Sequence, residues 1–289
     1  MEPLVENISD TAKWVAFFRA EESERPDAVF HDPFARKLAG EKGEQIATAA
    51  RFSRDNSWSF VSRTFLFDNY VTRHIEEGYD TVINLAAGLD ARPYRLELPA
   101  NLNWIDVDLP PMINYKNKIL LNEKPKCQLR SVPLDLADRT ARLELFKQLG
   151  AEAKQALILT EGLVIYLTSD DVASLASDLS GQKNFRRWVF DLQSPSLLAM
   201  AQENMGSILK GSGAKFQFAP EEGEAFFEPY GWQGVESKSL LPTALKLNRL
   251  PQEFKAYAEM GEPPGPPRAF PWSGVCLLEN IEYRTRNDD

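Results

Sequence analysis

Two cysteines and two histidines are all that the 289 residues contain of those types. Cys127 and Cys276 stand far apart and form no C-x-x-C pair, which argues against a disulfide framework and against a zinc site, so no metal is expected and a reducing cytoplasm fits. The side chains able to act as bases near neutrality reduce to His31 and His74. Positive charge is also short. Against 42 Asp and Glu stand 33 Lys and Arg, a net charge of −9, so the whole molecule has no electrostatic basis for gripping nucleic acid or an anionic membrane, although a local basic pocket remains compatible. No window of about 18 apolar residues occurs. The stretch "MEPLVENISDTAKWVAFFRAEESER" has an acidic start and no cationic n-region, and reads as neither a signal peptide nor a membrane anchor. Internal repeats and low-complexity tracts are missing too. The one composition shift is "EMGEPPGPPRAFPW", residues 259–272, which Pro and Gly mark as an irregular loop.

What is present divides at about residue 80. The first part reads as helices: Ser9 is placed to cap "DTAKWVAFFRA", Asp32 and Pro33 open "DPFARKLAG" with Gly40 as its C-cap, and Phe60, Phe67, Val71 and Ile75 recur at near-helical spacing until Gly78. Beyond it, β-rich runs alternate with helical ones. "TVINLA", "NWIDVD", "QLRSVPL", "ALILTE", "RRWVFDL", "GVESKSL" and "SGVCLLENIEY" predict seven strands, separated by segments such as "PPMINYKNKILLNE", "DRTARLELFKQLG" and "SDDVASLASDLS". Strands separated by helices of this length imply βαβ crossovers and a mostly parallel sheet with helices on both faces. The chain thus reads as a helical cover over 1–80 and an α/β core over 81–289, with an insertion at about 242–272.

In such a sheet the ligand binds beyond the carboxyl ends of the strands, and that is where the carboxylates fall. The turn "AAGLDARPYR" has only Gly88 where a dinucleotide fingerprint wants three glycines, so a cofactor without phosphates fits better. An ordinary tight turn is the plain alternative. Asp106 and Asp108 follow about 20 residues later. A carboxylate at the end of strand two can accept from both hydroxyls of an adenosine ribose; one of the two could instead cap the next helix, and Asp108 is the stronger ribose candidate. In "VPLDLAD" Asp135 sits between Leu134 and Leu136, an arrangement able to sandwich a purine while accepting from its amine, unless Asp135 is only a helix cap. Glu161 interrupts an apolar run in "ALILTEGLVIYL". Burying it alone would be costly, so it should face the cleft, a bound cation or a structural ion-pair partner.

The stretches "ISDTAKWVAFFRAEESERPDAVFHDPFA", "SRTFLFDNY", "VINLAAGLDARPYRL", "DVDLP", "VPLDL" and "TEGLVIYL", with a weaker echo in "FFEPYGW", together resemble the S-adenosylmethionine-dependent methyltransferases of the leucine carboxyl methyltransferase type, and more closely their bacterial small-molecule relatives. The resemblance implies a class I, Rossmann-like methyltransferase sheet of seven strands with an N-terminal helical cover, and S-adenosyl-L-methionine as cofactor. By the same resemblance Arg63 would pair with the methionine carboxylate, and the backbone around Ala86 and Gly88 would line that moiety. Asp108 would hold the ribose, Asp135 and Leu136 the adenine, and Glu161 would lie near the methionine amino group and the transfer site. Read without the resemblance, Arg63 is a solvated helix arginine. Ala86 departs from the family, which usually has glycine there; its methyl group would crowd the cofactor, or be accommodated if φ is negative.

Methyl transfer asks the protein chiefly to hold a nucleophilic oxygen in line with an electrophilic carbon and to exclude water. A carboxylate acceptor needs no base, whereas a phenol or alcohol wants one, and His31 lies by a helix cap while His74 lies on a helix that reads as structural. Carboxyl O-methylation of a small-molecule acceptor is therefore the expected activity, with no nucleic-acid or membrane partner and no reading of the oligomeric state. Tyr166 and Arg92 are possible acceptor-site groups, with packing and a surface ion pair as their plain alternatives. The insertion and the N-terminal helices are expected to close over the cofactor. Competing readings are a hydroxyl O-methyltransferase, a nicotinamide dehydrogenase and a cofactor-binding module without turnover.

Overall fold

The structure, a computed structural model, describes residues 5–7, 9–50, 54–260 and 270–284. Three helices come first: α1 (Ser9–Ser23), α2 (Ala35–Ala49) and α3 (Ser57–Glu76). α1 begins at Ser9 itself, a residue earlier than a Ser9 cap implies. Asp32 opens α2 by accepting from the Phe34 N–H at 3.1 Å. Gly40, expected to end that helix, kinks it at φ +58°, a left-handed turn that glycine adopts without a steric cost. α3 stops just before Gly78, and Phe67 and Val71 on its inner face are fully buried.

Seven strands follow: β1 (Thr81–Leu85), β2 (Asn103–Asp108), β3 (Gln128–Pro133), β4 (Ala156–Thr160), β5 (Phe185–Gln193), β6 (Trp232–Ser239) and β7 (Ser273–Asn280). They form one sheet in the order β3-β2-β1-β4-β5-β7-β6, parallel throughout except for β7, which runs antiparallel to both its neighbours. Helices α4 (Arg92–Arg95), α5 (Pro110–Ile119), α6 (Arg139–Glu152), α7 (Ser169–Ser180) and α8 (Pro195–Leu209) follow β1 to β5 in turn.

The two central strands show why the sheet takes this form. "TVINL" and "ALILT" are buried at every position, as parallel strands covered on both faces must be. Alternation along the strands then feeds two cores. Ile83, Ile105, Ile158 and Trp188 join Phe146 of α6 and Leu175 of α7 on one face, while Val82, Trp104, Leu157 and Val189 join Phe67 and Tyr70 of α3 on the other. Each such large apolar side chain contributes about 1.5–3 kcal/mol by leaving water.

The insertion is less irregular than its composition suggests. Helices α9 (Leu240–Lys246) and α10 (Gln252–Glu259) occupy much of it, and Ala244, Leu250 and Ala258 bury themselves against Trp58 and Phe254. Of the Pro-rich tract 259–272, residues 261–269 lie outside the described residues. A short α11 (Ile281–Arg284) follows β7. Among the described residues no helix is long and apolar enough to cross a membrane.

Candidate active site

A cavity of about 820 Å³ opens at the carboxyl ends of β1, β2 and β4, where the strand order reverses between β1 and β4. Its first wall is the turn after β1. Ala86 and Gly88 both take positive φ, +53° and +50°, and Gly88 donates its N–H to Asp108 Oδ2 at 2.6 Å. The negative φ that would have accommodated Ala86 is therefore not what the turn adopts. A left-handed alanine costs on the order of 1–2 kcal/mol, and the strain sits in the cavity wall itself. At Gly88 a Cβ would lie 3.3 Å from Ala12 Cβ, so the residue also lets α1 approach the turn closely.

Of the two acidic residues ending β2, Asp108 lines the cavity and Asp106 does not. Asp108 is half-buried, its oxygens accepting from the Gly88 N–H and from the Leu109 N–H at 2.7 Å. Burial outweighs both bonds and pushes its carboxyl above the usual range. Asp106 is fully buried, held by Lys116 Nζ at 2.7 Å, Trp104 Nε1 at 2.9 Å and Asn84 Nδ2 at 3.3 Å. Its place is in the packing beneath the site. Asp135 lines the cavity with Leu134 and Leu136 on either side, and it is not the helix cap: Asp138 caps α6 by accepting from the Ala141 N–H at 3.1 Å.

The third wall is a network of buried ions. Glu161, just past β4, accepts from Arg63 Nε at 3.1 Å and from Arg92 Nη1 at 2.8 Å. Burial alone would raise the Glu161 carboxyl, but Arg92 and Arg63 outweigh it and hold it below the usual range. Arg92 is 2% exposed and also donates to Asp68 and Asp90, each at 2.7 Å, so it belongs to no surface ion pair. Arg63 is no solvated helix arginine either. Its Nη1 reaches Asp191 at 3.1 Å, and the other oxygen of Asp191 fixes the Gly162 N–H at 2.6 Å. Sequence reasoning missed Asp191, Asp90 and Asp68. Asp191 had a readable signal, an acidic residue at the end of the apolar run "RRWVFDL", the same signal that marked Asp108 and Asp135.

Tyr166, in a 3-10 turn (Val164–Tyr166) after β4, lines the cavity beside Phe216, with ring centroids 5.4 Å apart. Burial pushes its phenol above the usual value. Neither histidine lines the cavity. His31 is exposed, while His74 is buried with Nδ1 2.7 Å from the Tyr70 carbonyl oxygen. α1 and α3 supply Thr11, Trp14, Phe60 and Arg63 to the wall. Among the described residues of 242–272 none does, whereas α8, Phe216 and Phe218 do.

A sheet in this order with its seventh strand reversed, helices on both faces and a cavity over the switch point define the class I methyltransferase fold. A provisionally named methyltransferase from Thermobifida fusca shares it with a TM-score of 0.61 at 17% identity over 96% of each chain. A DUF574 family protein from Streptomyces avermitilis does so with a TM-score of 0.57 at 12% identity, over 93% of this chain and 97% of its own. Within that class, the sequence profile of the leucine carboxyl methyltransferase family matches residues 12–180, and the chain belongs to that family. A provisionally named S-adenosyl-L-methionine-dependent methyltransferase of Mycobacteroides abscessus is 31% identical over 192 residues, 61% of this chain and 62% of its own length. One so named from Frankia alni is 35% identical over 174 residues, 57% and 61%. The chain thus spans about three fifths of the length of these relatives.

Proposed function

We propose that the protein is an S-adenosyl-L-methionine-dependent O-methyltransferase and that the oxygen it methylates belongs to the carboxylate of a small molecule. The residues present fit the cofactor. Each Asp108 oxygen already accepts one backbone N–H and keeps lone-pair capacity for a ribose hydroxyl. Leu134 and Leu136 flank Asp135 as an adenine site would require. Arg63 uses Nε and Nη1 on Glu161 and Asp191, and further N–H donors of its guanidinium suit the methionine carboxylate. An ionised Glu161 suits the methionine ammonium, and the backbone at Ala86 and Gly88 suits the same moiety. When bound, the cofactor supplies an electrophilic sulfonium methyl group. On this reading the first 80 residues are part of the site through Arg63, and Tyr166 borders the transfer position.

One observation carries the choice of acceptor: among the described residues the cavity wall holds no histidine and no lysine. The ionisable groups nearest the β4 end are unsuited to take a proton. Glu161 and Asp191 are bonded to arginines, and the Tyr166 phenol is pushed up by burial. A carboxylate, with a pKa of about 4, arrives already ionised and needs none removed. The protein's remaining task is to hold it in line and keep water out.

Two measurements test this. S-adenosylmethionine should raise the melting temperature where NAD does not, since a ligand of the native state alone stabilises it. Turnover on a carboxylic acid should then stay nearly flat from about pH 6.5 to 9, because the acceptor is ionised throughout. A rise of about tenfold across that window would instead mark base-assisted methylation of a hydroxyl. A protein that binds the cofactor and methylates neither class would be a binding module.

A further inference from the structure

The cavity is chemically two-sided. Over β2 and β3 its wall sets Asp108 and Asp135 among Leu134 and Leu136, whereas past the arginine-paired Glu161 and Asp191 at the ends of β4 and β5 it carries Trp14, Phe60, Tyr166, Leu197, Met205 and Phe216. The cofactor as placed above reaches from Asp135 beyond β3 to Glu161 beyond β4, three strand spacings or about 14 Å, and leaves the part of the cavity past β5 and along α8 for a second ligand. That far part belongs to one apolar cluster. Trp14, Met205 and Phe216 are buried in it, and Phe60, Tyr166 and Ala201 pack against it. The segment that carries Phe216 is pinned in place, with the Gln217 N–H on the Ile165 carbonyl at 2.7 Å and Gln202 Nε2 on the Phe216 carbonyl at 2.7 Å.

Charge adds the second constraint. Every arginine among the described wall residues is already paired: Arg19 with Asp32, Arg63 with Glu161 and Asp191, Arg92 with Asp68, Asp90 and Glu161, Arg95 with Asp68, and Arg139 and Arg142 with Asp178. A phosphorylated or polyanionic acceptor would find no spare cation among the described residues. We propose that the chamber beyond β4 and β5 binds a monocarboxylic acid with an extended apolar body, an alkyl chain or an aryl group, lodged between α1, α3 and α8. This rests on the methyltransferase reading for the role of the acid as acceptor, and on the chamber's own chemistry for the binding. A volume of about 820 Å³, near the top of the ~300–1,000 Å³ range of small-molecule sites, leaves room for it beside a cofactor. Met205, unbranched and adaptable, and Ala201, one turn earlier on the same helix, set how long that body can be.

Calorimetric titration of butanoate, octanoate and dodecanoate into the protein saturated with S-adenosylhomocysteine tests this. Affinity should rise about fourfold per methylene until the chamber is full. Octanedioate should bind at least about tenfold more weakly than octanoate, since its second charge would lie in the apolar wall. Ala201→Leu and Met205→Trp should each abolish the gain from octanoate to dodecanoate while leaving butanoate and S-adenosylhomocysteine affinity unchanged; the milder Ala201→Leu preserves the test if Met205→Trp fails to fold. Affinity independent of chain length, or equal binding of the dicarboxylate, overturns the proposal. If S-adenosylhomocysteine itself does not bind, the methyltransferase reading fails separately, and the same titrations without it still decide the chamber.

Discussion

Glu161 Oε2 lies 2.8 Å from Arg92 Nη1, and that contact ties the end of β4 to the turn after β1. Because Arg92 also binds Asp68 of α3 and Glu161 also binds Arg63, one carboxylate joins three elements that approach only in the folded chain. Glu161→Gln keeps the shape and removes the charge, which weakens two charge-assisted hydrogen bonds. S-adenosylhomocysteine binding should weaken by about 10- to 100-fold in calorimetry. The acid limb of stability should also change. The folded Glu161 titrates below its usual 4.5, so its contribution is present above that value and is lost as pH falls through the depressed one. Urea melts below about pH 4.5 should therefore separate wild type from variant less than melts at pH 7. Unchanged cofactor affinity with a lowered melting temperature would reduce Glu161 to a structural ion-pair partner.

Asp106 and Asp108 should separate cleanly into stability and binding. Asp106→Ala leaves the buried Lys116 ammonium without its carboxylate and should cost about 3–5 kcal/mol of unfolding free energy. Asp108→Ala should weaken cofactor binding by about 10- to 100-fold. Denaturant titration and calorimetry on both variants check the pair. Equal loss of stability in the two would contradict the division.

Ala86→Gly should remove the left-handed strain in the turn. Relief of about 1–2 kcal/mol is partly offset by about 0.4–1 kcal/mol from the freer unfolded chain, so a net gain of up to about 1.6 kcal/mol is expected in chemical denaturation. Cofactor affinity should hold or tighten, because a methyl group leaves the cavity wall. Loss of stability would mean that the alanine is not strained there.

His74 should govern stability in mild acid without governing turnover. Burial pushes its imidazole below the usual 6.5, outweighing the nearby Tyr70 carbonyl and Glu77, so the folded state favours the neutral ring. Stability is then full above about pH 6.5 and falls as pH drops from there through the folded value. His74→Gln should flatten that slope in urea melts, while the pH profile of methyl transfer stays as in wild type. A changed profile in a folded variant would reopen the case for His74 as a base.

Much of this was local and therefore legible in one dimension. Five-residue apolar runs such as "TVINL" and "ALILT" can only be doubly covered strands when helices alternate with them, and acidic residues at run ends mark the carboxyl side of a parallel sheet whatever the strand order. Asp108, Asp135 and Glu161 were singled out on that ground, and all three line the cavity. Tertiary structure decided what long-range pairing controls. Arg63 and Asp191 are 128 residues apart and Arg92 and Glu161 are 69 apart, and no periodicity encodes which of many charged residues will meet. Arg92 thus changed from a surface candidate to a buried centre, and Asp191 emerged unannounced. The φ of Ala86 is likewise set by a hydrogen-bonded turn reaching across to β2, not by alanine's own preference. The apolar side of the cavity came from α8 and Phe216, while the described residues of the 242–272 insertion stay out of the wall, because helices pack where strand order and crossovers leave apolar surface uncovered.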